Sequence, residues 1–185
     1  QFSSFYMPGD FVSHVRMMKT DYEDTGLAQL FGMPFVVLRK PVPFDTTTLN
    51  FNWQVWDTKA FSLYSRSTEK IDKKGADMAI AAVCRFLSRM NVLNYNVYGG
   101  YESTVLIEEE LVSLRSTASG LYIPHVKSFD SVERGQVLAD IIDPLTGVTV
   151  AQTEAPEDGI VFFAKDSPLV MENETLFKIV NKLHK

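Results

Sequence analysis

Three histidines, one cysteine and a run of three glutamates are the side chains with the most obvious chemistry here, and their spacing limits what that chemistry can be. His14, His125 and His184 stand far apart, in no His-x-x-Glu or His-x-x-x-His pattern, so the spacing offers no zinc quartet. His14 is the one with other binding groups nearby, Asp10 and Arg16. Glu108, Glu109 and Glu110 follow Val105-Leu106-Ile107 in what reads as one strand over 103–115. Neighbours on a strand point to opposite faces, so the trio makes no carboxylate pair and reads as the protective charge of a solvated edge strand. Cys84 lies among apolar neighbours in a helical pattern, which reads as interior packing rather than a nucleophile. No Gly-x-Ser-x-Gly elbow and no Gly-rich phosphate loop is present, and Gly99-Gly100 reads as a hinge.

The elements that must position these groups change character along the chain. Residues 10–18 alternate weakly and read as strand or loop. Asp24 can cap a short helix through Phe31, stopped by Gly32 and Pro34. Phe35-Val36-Val37-Leu38 is a continuous apolar run, which suits a strand buried on both faces. Residues 41–51 read as a polar, Thr-rich loop, and Trp53 to Tyr64 as a second β-rich stretch, clearest at Ala60–Tyr64. The best helix runs from Asp72 to about Met90. There Ala76, Ala79, Ile80, Val83, Phe86, Leu87 and Met90 recur at three- and four-residue steps, an apolar face for covering a sheet. Strand, helix, strand, strand, helix is an α/β order over 1–98, and from residue 99 to 185 the signal is all-β.

Composition excludes several classes. An apolar content of 45% and a charged content of 22% over 185 residues support a globular core and one large or two small domains. A net charge of −5 with no dense basic cluster argues against a nucleic-acid partner. No apolar run approaches the ~20 residues of a membrane span. A single cysteine forms no intrachain disulfide and fits a reducing, cytoplasmic setting. The chain opens on Gln1, with no cap or start signal in Gln1–Phe5, and reads as entered partway through.

The last third says one phrase twice. Residues 119–141 and 158–180 each open with a Gly and a β-rich run (Gly120-Leu121-Tyr122-Ile123; Gly159-Ile160-Val161-Phe162) and pass a polar turn. They close on apolar pairs, Val132 and Leu138 in one, Val170 and Leu176 in the other. Two strand–turn–strand copies, each too small to bury a face alone, predict a β-domain folded about a quasi-two-fold axis.

This wording resembles the C-terminal part of the succinylglutamate desuccinylase/aspartoacylase family over about residues 115–180. The residues that carry it are Gly120, Pro124-His125-Val126, Val132 to Leu138, and Ala155-Pro156-Glu157-Asp158-Gly159-Ile160-Val161. The resemblance implies a carboxypeptidase-like α/β partial domain followed by a barrel-sandwich domain. The latter is also similar to biotinyl and lipoyl carriers, whose modifiable Lys is missing from Asp143-Pro144-Leu145-Thr146-Gly147. It further implies a zinc-dependent amide hydrolase acting on an N-acyl amino acid or peptide-like substrate. The zinc ligands would lie upstream of Gln1, so no tightly bound Zn²⁺ is expected in this chain alone.

The family's general-base Glu falls by this resemblance on Tyr64, in Ser62-Leu63-Tyr64-Ser65-Arg66. A phenol ionises near pH 10 in water, about the range where it is a poor base for neutral-pH chemistry. Glu69 is the possible substitute, and His14, Arg16 and Arg66 are implied as substrate-binding, with Arg16 suited to a carboxylate. The alternative is a non-catalytic relative that keeps the pocket as a ligand-binding or interaction module. An exposed β-edge and the Met and aromatic content permit a homo-oligomer.

Overall fold

The computed structural model describes residues 7–67, 70–94 and 99–181. In chain order its first half forms β1 (Asp10–Phe11), β2 (His14–Met18), α1 (Thr25–Gln29), β3 (Phe35–Arg39), α2 (Leu49–Val55), β4 (Ser62–Tyr64) and α3 (Lys73–Arg89). Then follow β5 (Thr104–Ile107), β6 (Val112–Arg115), β7 (Gly120–Pro124), β8 (Ser131–Val132) and β9 (Val137–Ile142). Last come β10 (Thr149–Glu154), β11 (Gly159–Ala164), β12 (Leu169–Val170) and β13 (Thr175–Asn181). The result is mostly β, in three sheets with few helices. No helix among the described residues is long and apolar enough to cross a membrane.

The chain divides into two compact units, Ser13–Arg66 with Asp72–Glu110, and Gln1–Val12 with Ser67–Ile71 and Leu111–Lys185. The sequence signal changes near residue 98, whereas contacts change at Glu110/Leu111, because β5 pairs in parallel with β3 and so stays with the first unit.

The first unit is a four-stranded sheet in the order β4-β2-β3-β5, parallel at β2/β3 and β3/β5 and antiparallel at β4/β2. Asp24 caps α1 as its sequence predicts, its Oδ1 accepting from Leu27 N at 2.9 Å. Val15, Met17, Val36 and Leu38 form one apolar face, buried against Ala28, Phe31, Met33 and Ala82, with Ala79 and Phe86 of α3 packed beside them. Alternation along the strands leaves the opposite face for other work.

Several local readings need correcting. Residues 43–55 are not loop and strand but a 3-10 turn at Pro43–Thr47 followed by α2, which Thr48 starts by accepting from Phe51 N. Gln54 fixes α2 to the end of β2. It is fully buried, accepts from Met18 N at 3.1 Å and donates to Met18 O at 2.7 Å and Thr20 Oγ1 at 2.9 Å. The apolar stripe of α3 is narrower than its spacing implies: Gly75, Ala82 and Arg85 are buried, while Ile80, Val83 and Met90 are exposed. Cys84 on that helix is half-buried rather than interior. The 103–115 stretch is two strands broken by a 3-10 turn at Glu108–Glu110.

Gly100 is a packing position more than a hinge. It holds φ at +109°, and a Cβ there would lie 3.0 Å from Arg85 Nε. The Arg85 guanidinium is sequestered beside it and donates from Nε to Phe31 O at 3.0 Å. Burial, with Arg89 adding like charge, lowers the Arg85 pKa from its ordinary value.

The second unit holds two antiparallel sheets, β1-β11-β13-β6 with β8 added on β11, and β10-β9-β7-β12. Neither closes into a barrel among the described residues. Their inner residues share one core built on Tyr122, Leu138, Ile141, Val161, Leu176, Phe177 and Ile179.

The repeat predicted from sequence is present down to single hydrogen bonds. β7 pairs with β9 of its own copy and β11 with β13 of its own, while β8 pairs across with β11 and β12 across with β7. In the turns, Gly135 N donates to Ala155 O at 2.8 Å, and its counterpart Asn173 N donates to Ser116 O at 2.8 Å. Both turn residues are left-handed, at φ +81° and +66°. Gln136 Oε1 accepts from Glu133 N at 3.1 Å as Glu174 Oε2 accepts from Met171 N at 3.0 Å. The two opening glycines match as well. A Cβ at Gly120 would lie 2.5 Å from Ile142 O, and one at Gly159 would lie 2.4 Å from Ile179 Cγ2 and 2.6 Å from Val180 O.

Candidate functional site

The candidate site is the second face of the four-stranded sheet, where strand alternation places His14 and Arg16 together. The antiparallel β2/β4 register sets His14 opposite Tyr64 and Arg16 opposite Ser62, so all four side chains share that face. The apolar residues Val15, Met17 and Leu63 take the other. A strand buried on both faces can carry polar groups only if they find partners, and these do.

Tyr64 is the hub. Its ring stacks on the imidazole of His14, centroids 5.0 Å apart and planes 3° from parallel. Its hydroxyl accepts from Arg16 Nη1 at 3.3 Å, and the Arg16 guanidinium carbon stands 5.6 Å from the ring centroid. Arg16 is in turn paired with Glu108, Nη2 to Oε2 at 3.5 Å. His14 is 0% exposed and Arg16 4%, while Tyr64 and Glu108 are half-buried. Ser62 is fixed on the row by Asn50 of α2, whose Nδ2 donates to Ser62 Oγ at 3.0 Å.

Of the residues singled out in the sequence, His14, Arg16 and Tyr64 are brought together. Arg66 lies two residues beyond the end of β4, half-buried. Glu69 and His184 lie outside the described residues. His125 belongs to the second unit, where its Nε2 sits 2.8 Å from Asp140 Oδ2. The Asp140 carboxyl, hydrogen-bonded first by Gln152 and then by His125, is held below its ordinary pKa.

Glu108 is the site residue that sequence reasoning missed. A strand through 103–115 would have treated the three glutamates as alternating surface charge. Parallel register sets Arg16 beside Val37 and Val37 beside Leu106, so Glu108, two residues beyond Leu106, stays on the Arg16 face and pairs with it, and in the 3-10 turn that it opens Glu109 Oε1 accepts from Lys40 N at 2.9 Å. The available signal was Arg16 itself, a cation on a strand too apolar to leave it without a carboxylate.

Among the described residues, no three His, Cys, Asp or Glu side chains gather as a metal-binding group. His14 stacks on Tyr64, and Glu108 pairs with Arg16.

No protein-family profile matches the chain, and no curated protein sequence does. Solved structures do match in fold. A succinylglutamate desuccinylase/aspartoacylase from Rhodobacter sphaeroides superposes with a TM-score of 0.75 at 14% identity, covering 96% of this chain and 56% of that one. A product-bound ectoine utilization protein from Ruegeria pomeroyi gives a TM-score of 0.74 at 13% identity, with 93% and 54% covered. A succinylglutamate desuccinylase from Silicibacter gives 0.72 at 15% identity, with 93% and 54% covered. The chain thus spans little more than half the length of the structures it matches. Almost all of it nevertheless follows one architecture, and that architecture is the one seen in proteins of the succinylglutamate desuccinylase/aspartoacylase family.

Proposed function

We propose that this chain is part of an amide hydrolase of the succinylglutamate desuccinylase/aspartoacylase type, one that releases an amino acid from an N-acyl or peptide-like precursor. The observation that carries this reading is the likeness over 93–96% of the chain to solved structures bearing that family's name or sharing its fold. Carboxypeptidase-like describes the first unit in this reading. The second is an accessory barrel-sandwich of biotinyl/lipoyl type, structural because its hairpin 143–147 carries no lysine to modify. A cytoplasmic setting and a homo-oligomer belong to the same reading.

Hydrolysing an amide requires a polarised carbonyl, an activated water and a proton for the leaving amine. Zinc, when bound, supplies polarisation and a water of lowered pKa, and its ligands in this proposal lie beyond the described residues. The chain's own contribution is the row on β2 and β4. Arg16 and Glu108 hold the Tyr64 hydroxyl at a defined point, and His14 holds its ring, so that a substrate meets a fixed phenol rather than a mobile one.

A second reading is favoured by Tyr64 itself. A phenol stands where the resemblance puts a carboxylate base, and it is already bonded to Arg16 and stacked on His14. That arrangement suits a relative that binds acyl amino acids without cleaving them.

The test is hydrolysis by the full protein of a panel of N-acetyl and N-succinyl amino acids, with free amine measured by fluorogenic labelling and metal by elemental analysis after dialysis. Turnover with stoichiometric zinc supports the hydrolase. Calorimetric binding of the same panel without turnover supports the second reading. Neither binding nor turnover overturns both.

A further inference from the structure

We infer that α3 carries a docking seam on one flank, and that its occupant is an α-helix from polypeptide outside residues 1–185; this rests on the reading of the chain as part of a hydrolase. Ala76, Ile80, Val83, Leu87 and Met90 recur along α3 and its C-cap at steps of four, three, four and three, the spacing of a helix-on-helix seam. Ile80 is 64% exposed, Val83 and Met90 are each 41% exposed, and Ala76 is exposed as well. From Met78 to Ser88 the one charged side chain is Arg85, which is buried on the opposite side of the helix. Single apolar residues on a surface are ordinary, but three turns of helix without a charge facing water are not.

The surroundings of α3 say which way this stripe points. α3 runs along β4, the edge strand of its sheet: a Cβ on Gly75 would meet Ser65 Cβ at 3.4 Å just past the end of β4, and Phe86 packs on Phe61 just before its start, centroids 5.7 Å apart. The end of α1 occupies one flank of α3, where Arg85 donates to Phe31 O at 3.0 Å and Arg89 to Leu30 O at 2.8 Å. At 3.6 residues per turn the stripe falls on the other flank, roughly opposite Arg85 and about a quarter turn from Gly75, Ala82 and Phe86. It therefore faces sideways, past the β4 edge, where the next helix of the same layer would lie. The solved structures of this architecture are longer than the chain, which covers 54–56% of them, so their remainder is long enough to furnish that helix. The chemistry asked of it is an apolar stripe of the same spacing, packed ridge into groove at a shallow angle.

The experiment uses the purified full protein, as its gene encodes it, grown with photo-leucine and photo-methionine so that Leu87 and Met90 carry the probe without a substitution. Light and heavy isotope copies are mixed before irradiation, and the crosslinks from Leu87 and Met90 are mapped by mass spectrometry. Crosslinks within one chain to apolar residues of a helix outside residues 1–185 are expected. Crosslinks between light and heavy copies would make the occupant a second copy and overturn the assignment. So would crosslinks confined to residues 1–185, no crosslink at all, or a gene that encodes nothing outside these residues. As a second measurement, Ile80→Cys with Cys84→Ala should react with a maleimide at least about 100-fold more slowly in the native protein than in urea, because a seated helix must first come away. Equal rates would also overturn the assignment. Neither readout uses turnover, so a protein that hydrolyses no N-acyl amino acid sinks the hydrolase reading while the crosslinks still decide the seam.

Discussion

Replacing Gly159 with alanine tests how the second unit is held together. At Gly159 φ is not positive, so alanine meets no backbone penalty and the whole effect is one of space. The added Cβ would stand 2.4 Å from Ile179 Cγ2 and 2.6 Å from Val180 O. A relaxed carbon contact is about 3.5–4.0 Å, so β11 and β13 must part by roughly 1 Å at this point. Overpacking of this kind costs about 1–3 kcal/mol. Val180 is also the register partner of Ile160, and moving its carbonyl weakens the ladder by about another 1 kcal/mol. The expected total is about 2–4 kcal/mol, from the two sums taken together. Hydrogen exchange of the β13 amides measures it, since the Trp53 and Trp56 fluorescence reports the other unit. Gly147→Ala is the control: nothing lies within 4 Å of its Cβ and only its φ of +72° is offended, a cost of about 1–2 kcal/mol. Ile179→Ala opens a core cavity and costs about 2–5 kcal/mol by itself, so it serves as a background: there the added loss from Gly159→Ala should be smaller than in wild type but not zero, because the Val180 carbonyl remains. No added loss in that background, or a wild-type loss no greater than the Gly147→Ala control, would refute the steric account.

Gln54→Ala strands the N–H and C=O of Met18 in a buried place and should destabilise the first unit by about 2–6 kcal/mol in urea melts followed by tryptophan fluorescence, from two unmade bonds at about 1–3 kcal/mol each. Arg85→Met leaves Phe31 O without its donor and should cost about 1–3 kcal/mol by the same melts. Glu174 is held below its ordinary value of 4.5, first by the hydrogen bond from Lys165 and then by Met171 N. A depressed carboxyl stabilises the fold above its unfolded value, and that stability is lost as pH falls through the folded one. Glu174→Gln should therefore be less stable than wild type at neutral pH, with the gap closing on acidification when β13 amide exchange is followed against pH. A gap that persists at the acid end would contradict the assignment.

How much of this could be read from the chain depends on how local each signal is. The repeat was legible because Gly120 and Gly159 open matching runs, and the need for glycine is the same at both: no room beside the closing strand. β3 was legible as an apolar run between prolines. α2 was not, because Thr, Asn, Trp and Phe are weak helix formers and only Thr48, read as part of a loop, marked the start. The exposed side of α3 was read as buried because periodicity identifies apolar faces without saying which of two is covered. His14, Arg16 and Tyr64 could be named from the resemblance, but their mutual contacts come from the β2/β4 register, and the Glu108 contact from the parallel register that runs across β2, β3 and β5.

The crossing of β8 and β12 between the two halves of the repeat has an evolutionary and practical meaning. Each half borrows a two-residue edge from the other, β12 lying on β7 and β8 on β11. A half cut out alone would present an unfilled groove shaped for a copy of itself, so the smallest self-sufficient piece is the pair. An ancestor of half the length would have had to live as a homodimer, and fusing two such chains end to end would have made the partnership permanent.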